Sequence, residues 1–235
     1  MQISISSSDT VFVLTGAGIS AESGLSTFRD SGGLWEQYNI EDVATPEAFQ
    51  RNPALVWEFY SKRRKQLKDV VPNRAHFALA DFQKRHPKTY IVTQNVDDLH
   101  ERAGSSKVIH MHGSLLRIKC TRCSHYEEHL DDIEGIPRCK KCGNILRPDI
   151  VWFGEVPYFL NEIYELLSKT KLFVGIGTSG QVYPAAAFVS IAKKFKAKTV
   201  FLNKESFYNE DIDMFIEGNA TEIVEKFFTG IKILE

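Results

Sequence analysis

The four cysteines of the chain form one pattern, in which the pair Cys120 and Cys123 is followed, after fifteen residues, by the pair Cys139 and Cys142. Two such pairs at this separation are typical of zinc ribbons. Four thiolates complete a tetrahedral zinc site and leave no coordination position for water or substrate. The sequence therefore predicts one structural Zn²⁺, and any catalytic chemistry must use other residues.

The alternative for these cysteines is a pair of disulfide bonds in a secreted protein. Residues 1–9 have no basic n-region, and the apolar run at residues 11–14 is too short for the core of a signal peptide. No apolar run reaches membrane-spanning length. We therefore expect a cytoplasmic protein that does not associate with membranes and whose reduced cysteines bind zinc.

Two glycine-rich turns follow apolar, β-branched segments of the chain. Gly16, Ala17 and Gly18 come directly after residues 11–15, and a second G-x-G-x-x-G motif at residues 175–180 closes the segment 172–176. Glycines in such motifs allow a tight turn and a close approach of backbone amides to a pyrophosphate. The pair of motifs predicts a nucleotide-binding cleft; the alternative is two ordinary turns between strand and helix.

The first glycine motif is not followed by the features of a dehydrogenase. An NAD-dependent oxidoreductase would carry an acidic residue on a second strand about twenty residues later, to bind the ribose. Residues 28–36 include Arg29 and Trp35 but have no strand character. They are better suited to a loop that closes over a bound dinucleotide, so an oxidoreductase is the disfavoured alternative.

Polar residues follow the apolar segment 90–93. Gln94, Asn95 and Asp97 lie where a parallel strand would end, which is the edge of an α/β sheet at which ligands bind. An amide and a carboxylate at this edge could pair with a carboxamide such as that of nicotinamide. The alternative is an Asx turn or a cap for a helix over residues 97–103.

His112 is the candidate general base, because histidine titrates near neutral pH. It follows an apolar segment and precedes Gly113, where the chain can turn the imidazole into the cleft. His110, two residues earlier, would share a strand face with it but does not lie at the strand end. The alternative for a single histidine of this kind is a structural role in the core.

Apolar and β-branched runs alternate with helical patterns along the chain, which predicts a parallel α/β sheet. Two stretches lack this alternation and are predicted to be insertions that form a second, smaller lobe. The strands are expected at residues 11–15, 90–93, 108–111, 172–176 and 199–202, with a last edge strand at 231–234, and the helices at 53–69, 73–86, 160–168, 184–195 and 221–228.

The composition of the 235 residues sets further limits. With 43% hydrophobic residues the chain can build a sizeable core, and its 29 basic and 30 acidic residues give a net charge of −1. Such a balance gives no reason to expect a nucleic-acid partner. A zinc-ribbon module that only binds other molecules is a further alternative, but it would leave residues 93–97 and His112 unexplained.

Taken together, these motifs resemble the sirtuins, the family of NAD-dependent protein-lysine deacylases, over nearly the whole chain. The order and spacing of the motifs make the resemblance specific. They are GAGIS-A-ES-G at residues 16–24, TFR at 27–29, TQNVD at 93–97, HG at 112–113, the four cysteines, VWFGE at 151–155, GTS at 177–179, Asn203 and Ala220.

The resemblance implies a Rossmann-type NAD-binding domain, with helices on both faces of its parallel sheet, and a small zinc-ribbon and helical lobe. The first would comprise residues 1–40, 72–117 and 148–235, and the second residues 41–71 and 118–147. NAD, consumed as a co-substrate, would contact Gly16, Ala17, Gly18, Glu22, Thr27, Phe28, Arg29, Trp35, Gln94, Asn95, Val96, Asp97, Gly177, Thr178, Ser179, Asn203, Lys204, Glu205 and Ala220.

The resemblance also implies roles in the reaction. Asn95 and Asp97 would hold the nicotinamide carboxamide, with Asn95 also catalytic, and His112 would take a proton from the ribose diol after the acyl oxygen has displaced nicotinamide. The products would be free lysine, nicotinamide and O-acyl-ADP-ribose. The acyl-lysine peptide would add as a β-strand to a monomeric enzyme, against residues 180–183 and Val151, Phe153, Gly154 and Glu155.

The predicted helix 53–69 bears on the identity of the acyl group. Tyr60 and Arg63 lie on one stripe of this helix, and a guanidinium on an apolar stripe needs a partner or water. Arg64 is also near Tyr60, so periodicity does not choose between the two arginines, and the alternative is that Arg63 simply reaches solvent.

The pair Tyr60-x-x-Arg63 resembles the Y-x-x-R pair of the sirtuin class that removes succinyl and malonyl groups, and Ala21 would leave room for a longer acyl chain. An arginine can bind a carboxylate through two parallel hydrogen bonds. A charged hydrogen bond contributes about 1.5–3 kcal/mol, which is a preference and leaves acetyl-lysine as a substrate. Plain deacetylation and mono-ADP-ribosyl transfer are the alternatives within the family.

Overall fold

The computed structural model describes residues 3–25 and 38–235, and the six-stranded parallel sheet is its central feature. The strands of the chain are β1 (Ser4–Ser6), β2 (Thr10–Thr15), β3 (Thr89–Thr93), β4 (Val108–His110), β5 (Gly113–Cys120), β6 (Tyr126–Glu128), β7 (Leu146–Ile150), β8 (Thr170–Ile176), β9 (Lys198–Asn203), β10 (Met214–Glu217) and β11 (Lys232–Leu234). The predicted α/β fold is confirmed.

The sheet has the spatial order β4–β3–β2–β8–β9–β10, with every pair parallel. This is the 3-2-1-4-5-6 order of Rossmann folds, in which the chain reverses its direction of winding beside the first strand. Thr15 pairs with Thr93 on one side and Ile176 on the other. The carboxyl ends of β2, β3 and β8 therefore meet at one level of the sheet edge.

Helices cover both faces of this sheet. They are needed because consecutive residues of its strands are buried, and their side chains point alternately to the two faces. The helices are α1 (Gly18–Ala21), α2 (Ile40–Val43), α3 (Pro46–Arg51), α4 (Pro53–Asp69), α5 (Arg74–Arg85), α6 (Leu99–Arg102), α7 (Leu160–Lys169), α8 (Phe188–Lys194) and α9 (Ala220–Thr229). Val11 and Val13 pack with α5 and α9, whereas Phe12 and Leu14 pack with α7 and α8. Such strands, buried on both faces, read as continuous apolar runs.

A second structural unit combines α2, α3 and α4 with an antiparallel sheet in the order β6–β5–β7. Trp57, Phe59, Ile118, Leu146 and Trp152 belong to its common core. Strand β5 begins at Gly113 and ends at Cys120, so the predicted domain boundary after residue 117 falls inside a single strand. The division of the chain into two domains stays a prediction.

Two element predictions need correction. Residues 231–234 do not extend the main sheet, because β11 pairs in parallel with β1 in a separate two-stranded sheet. The helix expected at 184–195 is a 3₁₀ turn, Ala185–Ala187, followed by α8. Asn73 is the N-cap of α5, since its Oδ1 accepts from the backbone N–H of Ala75 at 3.0 Å. Among the described residues, no helix is both long and apolar enough to span a membrane.

Candidate functional site

The two glycine turns pack directly against each other at the sheet edge. The backbone N–H of Gly18 donates to the carbonyl oxygen of Gly177 at 2.9 Å. A Cβ atom on Gly16 would lie 2.6 Å from that same oxygen, and one on Gly177, whose φ is +59°, would lie 2.4 Å from the backbone nitrogen of Ile19. The glycines are thus required for the contact between the turns, which lies at the switch point of the sheet.

Thr178 joins the ends of three strands through its hydrogen bonds. Asn203, at the end of β9, accepts from the Thr178 backbone N–H at 3.1 Å and donates from Nδ2 to the Thr178 carbonyl at 2.7 Å. Gln94, directly after β3, donates from Nε2 to Thr178 Oγ1 at 2.8 Å. The predicted residues Gln94, Thr178 and Asn203 are therefore brought together, and they fix the second glycine turn against the first.

Asn95 and Asp97 meet at a buried serine. Asn95 Nδ2 donates to Ser20 Oγ, and Ser20 Oγ donates to Asp97 Oδ2, each at 3.1 Å. Burial raises the pKa of Asp97, an effect opposed by hydrogen bonds from the Leu99 backbone N–H and from Ser20. The bond from Leu99 means that the Asx turn considered for this segment is present as well, so Asp97 holds the local backbone and lies within the polar cluster.

Ser20 lies inside the first glycine motif but was not among the predicted site residues. Ser20 is 2% exposed and is one of the two buried residues of α1. A hydroxyl group at a buried position needs a hydrogen-bond partner. A serine in an otherwise small and apolar segment was therefore the signal that could have identified it.

His112 is held by the end of β3. Its Nδ1 lies 3.0 Å from the carbonyl oxygen of Gln94. Because a carbonyl can only accept, Nδ1 carries the proton and the neutral ring keeps its lone pair on Nε2. Burial lowers the pKa of His112, and the bond to Gln94 opposes this only in part.

The neighbouring His110 has a different environment. Its Nδ1 lies 3.3 Å from the Asn95 carbonyl oxygen, and its Nε2 lies 2.7 Å from Oε1 of Glu101. Burial disfavours its charged form, but the hydrogen bond and the charge of Glu101 together raise the pKa of His110. Because its pKa is lowered, His112 stays neutral near neutral pH and can accept a proton. The raised pKa of His110 and its bond to Glu101 make that histidine less available as a base.

Glu22 lies at the start of α9. Its two carboxylate oxygens accept from the backbone N–H of Thr221 at 2.9 Å and from Thr221 Oγ1 at 2.7 Å. A carboxylate at this end of a helix is stabilised by the unpaired N–H groups and by the helix dipole. The side chain thus links α1 to the neighbourhood of Ala220, and its contact with NAD stays a prediction.

The remaining predicted cofactor residues fall into two groups. Val96 is buried, Ala17, Ser179 and Ala220 are partly exposed, and Lys204 and Glu205 are exposed in the segment after β9. The predictions for Thr27, Phe28, Arg29 and Trp35 lie outside the described residues.

The segment 151–155 is tied to both structural units. The backbone N–H of Val151 donates to the carbonyl oxygen of His112 at 2.9 Å, and that of Phe153 to the carbonyl of Ala44 at 3.0 Å. Glu155 receives two hydrogen bonds from Arg147, at 2.7 and 2.8 Å. The Phe153 side chain is 48% exposed, and Gly154 is exposed beside it. The Glu155 carboxylate thus has a structural partner, and Phe153 and Gly154 present the open surface.

The structure distinguishes the two arginines of α4. Arg64 is buried and donates to the backbone carbonyl oxygens of Leu115, His129 and Asp131. Arg63 is partly buried, with its guanidinium carbon 5.9 Å from the Tyr60 ring centroid. Burial lowers the pKa of Arg63, while Tyr60 and Asp97 oppose that effect. Arg64 is therefore the anchor of the helix, and Arg63 lies beside Tyr60, within electrostatic range of Asp97.

The four cysteine Sγ atoms lie within 4.8 Å of one another. Cys120 and Cys142 are 3.5 Å apart, and Cys123 and Cys139 are 3.7 Å apart. Four thiolates around one zinc ion, with Zn–S bonds of about 2.3 Å, give separations of roughly 3.8 Å. The number, type and spacing of these donors fit one structural Zn²⁺, and they leave it no position for substrate.

Comparison with known proteins identifies the family. The sequence model of the Sir2 family matches residues 16–184 of this chain. The chain belongs to this family.

Individual relatives agree with the family assignment. An NAD-dependent protein deacylase of Bdellovibrio bacteriovorus is 52% identical over 225 residues, which cover 93% of this chain and 95% of the relative. A solved Sir2 homologue–NAD complex superposes with a TM-score of 0.88 at 37% identity, covering 95% of this chain and 90% of that one. A Sir2–p53 peptide–NAD⁺ complex superposes with a TM-score of 0.81 at 30% identity, covering 92% and 91%.

Proposed function

We propose that this chain is an NAD-dependent protein-lysine deacylase that favours succinyl and malonyl groups and also removes acetyl groups. The general activity is supported by the names of its relatives and by the polar cluster at the switch point of the sheet. The acyl preference is supported by one observation, the position of Arg63 beside Tyr60 and within electrostatic reach of Asp97.

The glycine turns and the polar cluster fit NAD as co-substrate. Backbone amides of tight glycine turns at a switch point suit a pyrophosphate. The linked side chains of Asn95, Ser20 and Asp97 offer both donors and acceptors, which a carboxamide needs. NAD supplies a ribose carbon from which nicotinamide can leave; the chain's part is to hold both ends of the dinucleotide and to exclude water.

His112 is the proposed general base. The Gln94 carbonyl fixes its tautomer, so the lone pair on Nε2 is the one that can take a proton from a ribose hydroxyl. The lowered pKa keeps the ring neutral at physiological pH. The backbone carbonyl of His112 also accepts a hydrogen bond from the Val151 N–H, so the base and the proposed peptide-binding segment are held next to each other.

The substrate peptide would bind as an added strand between the segments 153–155 and 180–183. Backbone pairing of this kind gives affinity with little dependence on sequence. Exposed side chains flank both segments, among them Phe153, Val182 and Tyr183. The Sir2–p53 peptide complex among the similar structures supports a peptide substrate.

Tyr60 and Arg63 are the proposed binding site for the distal carboxylate of a succinyl or malonyl chain. Charged Arg63 and the hydroxyl of Tyr60 together offer donors but no negative charge, and a carboxylate accepts from both. An acetyl group lacks this carboxylate, so it would bind without these contacts. The monomeric state and the cytoplasmic location stay predictions.

A peptide carrying succinyl or acetyl on the same lysine tests the proposal, with products followed by mass spectrometry with and without NAD. Cleavage of both peptides only with NAD, and a higher kcat/KM for succinyl, would support it in full. Cleavage of the acetyl peptide alone would remove the acyl preference. NAD binding without cleavage of either peptide would direct attention to ADP-ribosyl transfer.

A further inference from the structure

Trp152 makes a hydrogen bond to Tyr60 whose direction is fixed by chemistry. The indole Nε1 lies 3.0 Å from the Tyr60 hydroxyl oxygen, and the two side chains are 3% and 1% exposed. An indole N–H can only donate, so the Tyr60 oxygen is the acceptor in this bond. The proton of the Tyr60 hydroxyl must therefore be directed away from the indole.

The Tyr60 hydroxyl keeps that proton. Burial raises the pKa of Tyr60, and the positive charge of Arg63 opposes this effect without reversing it. A protonated phenol next to a guanidinium can present two donors to one shared anion, provided that the O–H is held in one orientation.

We propose that Trp152 is a specificity-determining residue that acts through Tyr60. By occupying an acceptor position of the Tyr60 oxygen, its indole N–H directs the Tyr60 proton toward the carboxylate of an acidic acyl chain. This inference rests on the proposed function, in which Tyr60 and Arg63 bind that carboxylate. Trp152 is a positioning residue and has no part in the chemical step.

The indole is itself held in place from several sides. The guanidinium carbon of Arg147 lies 3.4 Å from the centroid of the Trp152 ring, and the Phe49 ring lies 5.4 Å away. Arg147 is fixed by two hydrogen bonds to Glu155, and the Trp152 backbone N–H donates to the same carboxylate at 2.8 Å. A donor held this firmly can orient the hydroxyl at little further cost in conformational entropy.

The effect is expected to depend on the acyl group. Succinyl and malonyl chains end in a carboxylate that accepts the Tyr60 proton, so its orientation affects how well they bind. An acetyl group ends in a methyl group, which accepts no hydrogen bond, so the orientation of the proton makes no difference to it. Loss of the indole N–H should therefore change the ratio of the two activities.

Trp152→Phe removes the N–H and keeps an aromatic ring beside Arg147. A neutral hydrogen bond contributes about 0.5–1.5 kcal/mol, so kcat/KM for a succinylated peptide should fall about three- to tenfold, mainly through KM. The acetylated peptide should change less than about twofold. In a Tyr60→Phe background, Trp152→Phe should cause no further loss with the succinylated peptide, because both changes remove the same bond.

Trp57→Phe is the matched control. The Trp57 indole N–H also donates in the buried core, to the backbone carbonyl of Leu146 at 3.0 Å. Its loss should lower the stability of the protein and leave the succinyl-to-acetyl ratio unchanged. A change in ratio as large as that of Trp152→Phe would overturn the inference, since a loosened core would then explain both.

The double variant separates this inference from the proposed function. If Tyr60→Phe lowers both activities equally, the proposed carboxylate site is wrong and the inference falls with it. If Tyr60→Phe is selective for succinyl but Trp152→Phe leaves the ratio unchanged, or the two losses multiply, the inference is overturned while the proposed function stands.

A measurement on the unaltered protein covers the case in which Trp152→Phe does not fold. In protein labelled with ¹⁵N-tryptophan, the indole resonance that moves in Tyr60→Phe belongs to the bond in question. A succinyl-lysine peptide bound with a non-reactive NAD analogue should shift this resonance more than the matching acetyl peptide. Equal shifts would overturn the inference.

Discussion

Nδ1 of His112 is 3.0 Å from the carbonyl oxygen of Gln94, which joins the candidate base to the residue that directly follows strand β3. Gln94 also donates from its side chain to Thr178, so one residue connects the imidazole with the second glycine turn. The tautomer of the base and the geometry of the nucleotide cleft are consequently set by the same residue.

The pH dependence of kcat/KM should reveal the state of His112. The base acts in its neutral form, so activity rises as pH increases through its pKa and then levels off. Burial lowers that pKa, so the rise should lie below the ordinary histidine value of about 6.5. Rates with the acetyl peptide across this range measure it, and a midpoint above the ordinary value would contradict the assignment.

His112→Tyr is the companion variant for that profile. It should lower kcat at least a hundredfold, as is usual on loss of a general base, about 10²–10⁴. Thermal unfolding should show that the fold is retained. Turnover that survives in this variant with the same pH profile would remove His112 as the base.

The adjacent arginines of α4 provide a matched pair of variants. Arg63→Met should selectively reduce kcat/KM for the succinyl peptide, by about ten- to a hundredfold from the loss of a charged hydrogen bond. Arg64→Met should instead lower the free energy of unfolding, because three backbone carbonyl oxygens lose their donor. Kinetics with both peptides and urea unfolding measure the two effects. Interchanged results would show that the roles of the two arginines are reversed.

The two arginines also show where inference from the sequence ended. Helical periodicity placed both near Tyr60, and only the carbonyl groups of Leu115, His129 and Asp131, distant in sequence, determine which one is the anchor. Glu22 is a similar case, because its partner Thr221 is 199 residues away. The parallel strands could be predicted, since burial on both faces leaves a local apolar run. The sheet β6–β5–β7 could not, because β6 and β7 are only three and five residues long, and β5 mixes apolar with polar and charged residues.

Gly177→Ala should destabilise the protein and weaken NAD binding. Its φ is +59°, and the new Cβ atom would lie 2.4 Å from the backbone nitrogen of Ile19. The conformation alone costs about 1–2 kcal/mol for a residue with a side chain, and the clash would separate the two glycine turns. Urea unfolding and calorimetric titration with NAD measure the two effects.

Gly104→Ala is the control for that variant. Its φ is +98°, but a Cβ atom added there would meet no other atom within 4 Å. This change should therefore cost conformational energy alone and leave NAD affinity unaltered. Equal loss of NAD affinity in both variants would mean that contact between the turns is not what the cleft requires.

Removal of zinc should inactivate the enzyme by loosening the unit that carries the cysteines. Strand β5 runs from Gly113, next to His112, to Cys120, and within this unit α4 is fastened to the antiparallel sheet through Trp57 and Arg64. Loss of the ion therefore should free both the Tyr60–Arg63 helix and the strand that follows the base.

Structural zinc sites contribute directly to folding, so chelation should open residues 120–146 to proteolysis while β2, β3 and β8 stay protected. Mass spectrometry of the digest, with metal content measured in parallel, follows this change. Full activity in protein shown to contain no zinc would exclude the structural role.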